Sequence, residues 1–505
     1  MPDAGRRMTM LDDPVRSVVV VGGGIVGWSA AVALKRRVPG LPVTIVTSPP
    51  PANALADRIA QTLPSTVGFH DDLGLREDDA VLRAGGSWRL GTLFEGWAQD
   101  HPGYVHAYGP YGQPFGTASF HHHWVRAAHA GSAAPFDAHA PAAMLARAGR
   151  MVPSEPEPGP PFAGIQAGLV LDIDRYRAML AAFARHLGVI IREGIVADVR
   201  LRGEDGFVED LVLADASVVE ADLFVDAAGP AGVVRGAIDA QWEDWQGWLR
   251  ADRLLQAQAA ASAPSPLDHV VAFSGGWQWR TSAPAKTLHG LCYSSAFLSD
   301  ADAHQRLAED AGVEAGVAPI AFKQGTRPEP WARNCVAVGD AATVIEPLEW
   351  TNLHLAQSAI DRIVSMMPGR ACHPLETADY NRQASAEVMR VRDFVLCHYA
   401  TAGRTEPFWR RSADLPASLA HTLKLFGERG RLPFFEEETF ARDSWLAVLL
   451  GQGLIPGRTD PLIEGAPPAQ SDAAMAGYRA AISRALLQFP TAAEHHAAQL
   501  RRIAR

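Results

Sequence analysis

Ser17-Val-Val-Val-Val21-Gly22-Gly-Gly24-Ile-Val-Gly27-Trp-Ser-Ala-Ala-Val-Ala-Leu-Lys35 is the stretch on which the fold turns. The valine run suits a strand buried on both faces, and three glycines break it at once. Gly27 to Lys35 then reads as a helix and Pro42-Val-Thr-Ile-Val46 as a second strand, which completes one βαβ unit. The spacing of Gly22, Gly24 and Gly27 is GxGxxG, set between a strand and a helix. Such glycines let the backbone approach a pyrophosphate at the helix N-terminus, and Ile25 and Val26 between them join the candidate cofactor residues. The acid expected at the end of the second strand, where a ribose would be bound, is replaced by Thr47. One hydroxyl cannot accept from two ribose hydroxyls as a carboxylate does, so nucleotide affinity is expected to be lowered.

Two later segments choose between nucleotides. Leu223-Phe-Val-Asp226-Ala-Ala-Gly229-Pro230 is a strand running into an Asp-x-x-Gly turn, and Cys335-Val-Ala-Val-Gly339-Asp340-Ala-Ala342 is a strand ending in Gly-Asp. They resemble the second and third nucleotide contacts of FAD monooxygenase-type folds. Asp226, Gly229, Gly339 and Asp340 therefore join the candidate cofactor residues, and FAD is favoured over NAD. The fold class is α/β: a Rossmann-like, FAD-binding core with a mixed sheet, followed by a helical module. Arg175 to Leu187, Glu376 to Tyr399 and Asp472 to Leu487 have helical patterns. A core over residues 15–375, with inserted substrate-side segments, and a helical module over 376–505 are expected. Proline-rich stretches at 151–161 and 261–266 read as surface connections.

Bulk composition narrows the function. The 505 residues are 48% hydrophobic and 20% charged, enough for a large core, and the net charge of -10 argues against nucleic acid and anionic membrane as partners. Cys292, Cys335, Cys372 and Cys397 form no CxxC pair, which argues against a zinc ribbon or disulfide framework and fits a cytoplasmic location. Met1 to Pro14 has no apolar run of the kind a secretory leader needs.

Gly27-Trp28, Trp277-Gln-Trp279, Tyr293-Ser-Ser295, Gly339-Asp-Ala-Ala342, Glu346-Pro-Leu-Glu349 and Gly451-Gln-Gly453 resemble successive landmarks of the flavin-dependent tryptophan halogenase family. The resemblance runs from about Val15 to Leu462. It implies reduced FAD supplied by a separate flavin reductase, a halide ion, a small aromatic substrate and a homodimer. In that family, oxygen and halide give hypohalous acid, which reaches a lysine beside the substrate. The matching position, in Gly86-Ser-Trp-Arg89-Leu-Gly-Thr-Leu-Phe94, is Arg89; the four lysines, Lys35, Lys286, Lys323 and Lys424, all lie elsewhere. Glu349 matches the catalytic glutamate that faces this position, so an Arg89–Glu349 pair is expected. Thr351 and Asn352 match the halide-binding backbone, although Trp350 replaces a serine and Asn352 a glycine. The family's WxWxIP reads Trp277-Gln-Trp279-Arg-Thr281-Ser282, and its Gly-Glu-Ala-Thr-x-Pro has lost its acid at Arg58-Ile-Ala-Gln61-Thr62-Leu-Pro64.

Blander explanations stand beside these. The tryptophans and Phe434, Phe435 and Trp445 are equally explained by core packing, and Glu349 by helix capping. His121-His-His123 has poor spacing for one metal ion, and no GxSxG elbow marks a hydrolase. Two other functions remain open: a flavin monooxygenase, which the lost Ile-Pro would permit, and a non-catalytic binder of flavin or an aromatic ligand.

Overall fold

The structure is a computed structural model and describes residues 13–99, 101–153, 157–312, 318–410 and 414–503. Residues 1–12, read above for a leader, and 154–156 of the first proline-rich stretch lie outside these. The chain forms two compact units: Met1–Ala84, Asp172–Trp245 and Lys323–Val388 make one, and Gly85–Leu171, Gln246–Phe322 and Met389–Arg505 the other. Hydrophobic patterning predicts one changeover, at 375/376. The units instead interleave, because strands far apart in sequence pair with one another, and residues 376–388 group with the α/β unit.

The first unit is built on β1 (Val18–Val21), whose four valines are all buried. β1 pairs in parallel with β2 (Val43–Thr47) on one side and with Leu223–Asp226 on the other. The sheet runs Trp331–Ala332, Cys335–Ala337, Leu223–Asp226, β1, β2, Ile190–Glu193, parallel throughout except for Trp331–Ala332. The chain therefore leaves β1 to one side and returns on the other. That makes the carboxyl end of β1 a topological switch point, where α/β sheets open a crevice.

Between the strands lies α1 (Ile25–Arg37), buried continuously from Ile25 to Leu34. Its small residues allow close packing against the helices Ile173–Leu187 and Thr351–Ser365. Lys35, Arg36 and Arg37 occupy its last turn, where positive charge complements the helix dipole.

The second unit carries a mixed seven-stranded sheet, ordered Ile320–Ala321, Arg253–Ala260, Lys286–Tyr293, Gly276–Ser282, Leu267–Phe273, Gly91–Glu95, Tyr104–Ala107. Ser87–Arg89 pairs separately with Gly168–Val170. Beyond residue 400 come the helices Ala417–Arg429, Arg442–Gly451, Pro468–Ala485 and Ala492–Ile503. The four cysteines are buried, unbridged thiols. Among the described residues no helix is long and apolar enough to cross a membrane.

Candidate active site

The switch point gathers the three cofactor segments read from sequence. Parallel register sets Val21 beside Asp226 and Asp226 beside Ala337, so Gly22, Gly229 and Gly339 follow the carboxyl ends of three adjacent strands. Gly22 has φ +128°, a conformation side chains rarely adopt, and a Cβ there would overlap the Ala227 carbonyl. A Cβ on Gly27 would overlap the Gly22 carbonyl, so the first turn of α1 and the strand end can approach only as glycines.

The acidic residues of these segments do different jobs. Asp226 is fully buried and turned into its own loop: its carboxylate accepts from the backbone N–H groups of Ala228 (3.1 Å), Val234 (2.8 Å) and Arg235 (2.8 Å). It shapes the Gly229 turn rather than presenting itself to a ligand. Asp340 accepts the Ala56 N–H at 2.9 Å through Oδ2, while its buried Oδ1 has no hydrogen-bond partner among the described residues. Burial, helped by the neighbouring Asp57 charge, pushes the Asp340 pKa up to about 7. Thr47 is half-buried at the end of β2, its Oγ1 3.4 Å from the Arg192 carbonyl.

Asp57, which no motif singles out, accepts a hydrogen bond from the Ile25 N–H at the start of α1. The glycine cradle and the open Asp340 oxygen fit a flavin dinucleotide, with the one condition that the Asp57 side chain gives way.

Glu349 and Trp350 follow in the same unit. Both are buried non-glycine residues in the left-handed region, at φ +64° and +61°. Each costs about 1–3 kcal/mol, and such strain persists only where the surroundings fix it. The kink delivers the chain into the helix Thr351–Ser365. Its first turn contains Thr351, a fully buried hydroxyl with no hydrogen-bond partner among the described residues, and Asn352, whose Nδ2 donates to the Ile345 carbonyl at 2.8 Å. The helix is anchored by hydrogen bonds between His354 and Ser65 (2.8 Å) and between Gln357 and Thr66 (2.9 Å), and by the Arg362–Glu387 ion pair (2.9 Å).

Arg89 lies in the second unit, 1% exposed. Its Nε donates to Asp268, Nη1 to the Tyr108 hydroxyl and Nη2 to Thr92 Oγ1, the last at 2.7 Å. Every guanidinium nitrogen is thus engaged. Burial alone would depress its pKa, but the Asp268 carboxylate and Tyr108 outweigh it and push the pKa above that of an ordinary arginine. The family pattern predicts Glu349 as the partner carboxylate; the structure supplies Asp268, on the strand Leu267–Phe273. Asp268 also accepts from Thr281 Oγ1 at 2.7 Å. Arg89 and Thr281 are both departures from the family pattern, and they meet on one carboxylate.

Tyr108 extends this network into an aromatic cluster. The Arg89 Cζ is 5.1 Å from its ring centroid, His106 meets Tyr108 edge-on at 5.7 Å and Phe394 at 5.6 Å, and Phe394 stacks on Phe440 at 3.8 Å. Trp445 joins through Phe394 at 5.0 Å, whereas Phe434 is 90% exposed. Trp277 and Trp279 are buried together, 5.4 Å apart, and the Trp277 Nε1 has no hydrogen-bond partner among the described residues. Two of the three histidines bond instead to nearby groups: His121 to the Gly430 carbonyl (2.9 Å), and His123 to Ser471 (3.0 Å) and the Phe115 carbonyl (3.1 Å).

The family model for tryptophan halogenase matches residues 17–468. Tryptophan 7-halogenase RebH of Lentzea aerocolonigenes is 26% identical over 500 residues, covering 90% of this chain and 93% of that protein. Among solved structures, the flavin-dependent halogenase BrvH from Brevundimonas sp. BAL3 superposes with a TM-score of 0.90 at 35% identity, over 96% of this chain and 99% of its own. Xcc4156, a flavin-dependent halogenase from Xanthomonas campestris, gives 0.89 at 33% identity, over 97% and 98%. The chain belongs to the tryptophan halogenase family of flavin-dependent enzymes.

Proposed function

We propose that this chain takes reduced FAD from a separate flavin reductase, works with oxygen and halide on an indole-like aromatic substrate, and is a slow, unselective halogenase because of Arg89. The observation that carries this reading is the closed pairing of Arg89 with Asp268, Tyr108 and Thr92. Bound reduced FAD would supply the two electrons that bring oxygen to the peroxide level, the oxidant that turns halide into an electrophilic halogen. Gly22, Gly24, Gly27, Gly229 and Gly339 admit the cofactor backbone, with Ile25 and Val26 offering N–H groups, and Asp340 Oδ1 is the buried oxygen open to a cofactor hydroxyl. The N-terminus of the helix Thr351–Ser365 favours an anion, and the Thr351 hydroxyl is a donor for halide. Glu349 is the candidate proton acceptor for the substrate.

Halogen transfer needs an amine that can lose a proton and carry the halogen. A guanidinium stays charged and is a poor nucleophile, and this one has no free nitrogen. Arg89→Lys is expected to raise bromination of indole about tenfold or more, roughly 1.4 kcal/mol in barrier, with a larger gain when Trp350→Ser and Asn352→Gly are added. The measurement is product yield by mass spectrometry with reduced FAD, oxygen and bromide. Unchanged yield in all these variants would remove Arg89 as the cause.

A monooxygenase is the second reading, favoured by Thr281 in place of the family's isoleucine and its bond to Asp268. Hydroxylated in place of brominated product in the same assay would select it. At the other end of the cofactor, Thr47→Glu is expected to tighten FAD about tenfold, since charge-assisted bonds to the ribose contribute on the order of 1.5–3 kcal/mol. Equilibrium titration by flavin fluorescence reads this directly, and no change would place the ribose elsewhere.

A further inference from the structure

We propose that Asp57 competes with the FAD pyrophosphate for the N-terminus of α1, acting as an internal anion that sets a low and acid-enhanced cofactor affinity. This rests on the flavin seat proposed above. The Ile25 N–H donates to Asp57 Oδ1, and a Cβ built on Gly24 would overlap both carboxylate oxygens. The carboxylate is therefore packed against the second glycine of GxGxxG and bonded to the first helical N–H, where a pyrophosphate is cradled in this kind of turn. It is 5% exposed, which takes it out of the class of surface caps.

A helix N-terminus carries roughly half a positive charge and a few unpaired N–H groups. It stabilises one anion well, and two anions in the same cradle repel each other. Asp57 ends the short turn Leu55–Asp57, whose Ala56 N–H is held by Asp340 at 2.9 Å, so a displaced Asp57 stays close to the phosphates. Apparent affinity is then reduced by the fraction of molecules in which the cradle is open.

The charged groups acting on Asp57 are Asp340 from the Gly339–Ala341 turn, Arg177 from the helix Ile173–Leu187 and the adjacent Arg58. Burial pushes the Asp57 pKa up to about 6 against the Ile25 N–H and the two arginines. A bound pyrophosphate adds negative charge beside it and raises the pKa further. Binding therefore takes up a proton, and affinity falls as pH rises above about 6.

The test is equilibrium FAD titration of the full chain and of Asp57→Asn and Asp57→Ala at pH 6 and pH 8, with folding checked by circular dichroism. At pH 8 both variants are expected to bind FAD at least about tenfold more tightly than wild type. Wild type is expected to bind several-fold more tightly at pH 6 than at pH 8, with a smaller difference in Asp57→Asn. Equal or weaker affinity in folded variants, or a wild-type affinity that is flat or rises with pH, overturns the competition while leaving the flavin seat intact. Should the variants not fold, a wild-type affinity that is flat or rises from pH 6 to pH 8 still overturns the competition. No FAD binding by any of the proteins overturns the seat and this inference with it.

Discussion

Asp268→Ala is expected to destabilise the protein by about 3–5 kcal/mol, because it leaves the Arg89 charge buried with no counter-charge from Asp268. The size follows from burial: Arg89 and Asp268 are 1% and 2% exposed, so water cannot take the place of the lost carboxylate. Thr281 loses its acceptor in the same step. A fall in thermal midpoint on the order of 5–10 °C is expected. Adding Arg89→Met should recover much of it, since a buried pair can be replaced by apolar groups at small cost whereas one half of it cannot stand alone. A midpoint within 1–2 °C of wild type for Asp268→Ala would mean that the guanidinium has another neutralising partner. The expected stability loss matters for function, because it is the reason Arg89 cannot swing free to act on a substrate.

Gly24→Glu is expected to weaken FAD binding about 100-fold or more, equivalent to roughly 2.7 kcal/mol. The new side chain starts where both Asp57 oxygens already lie, and it adds a second negative charge to a cradle suited to one anion. Flavin fluorescence titration measures it, and unchanged affinity would place the nucleotide elsewhere. Gly24→Ala separates the two effects, since it adds bulk and no charge.

What the sequence made legible was local. The valine run, the glycine spacing and the Gly339-Asp340 turn each declare a backbone conformation within a few residues, and the structure places all three at adjacent strand ends. Asp226 is a partial exception: its position at the end of a strand was readable, but not that its carboxylate would be consumed by Ala228, Val234 and Arg235. Asp57 and Asp268 were not legible. Asp57 lies one residue before the segment Arg58–Pro64, whose motif has lost its acid, and it meets Ile25 only after folding. Asp268 meets Arg89 across 179 positions, on a strand that follows a proline-rich connection and carries no motif. Pairings of this kind are decided by strand register, as between Leu267–Phe273 and Gly91–Glu95, and one unaligned sequence does not encode register in any local pattern.

The role proposed for Arg89 is that of a locked ion-pair partner in the place of a halogen-carrying amine. Its most direct test is bromination of indole by the unmodified protein with reduced FAD, oxygen and bromide, with and without a soluble amine that scavenges hypohalous acid. Little product is expected, formed at the most reactive carbon and abolished by the scavenger. Robust, position-selective bromination that survives the scavenger would contradict it.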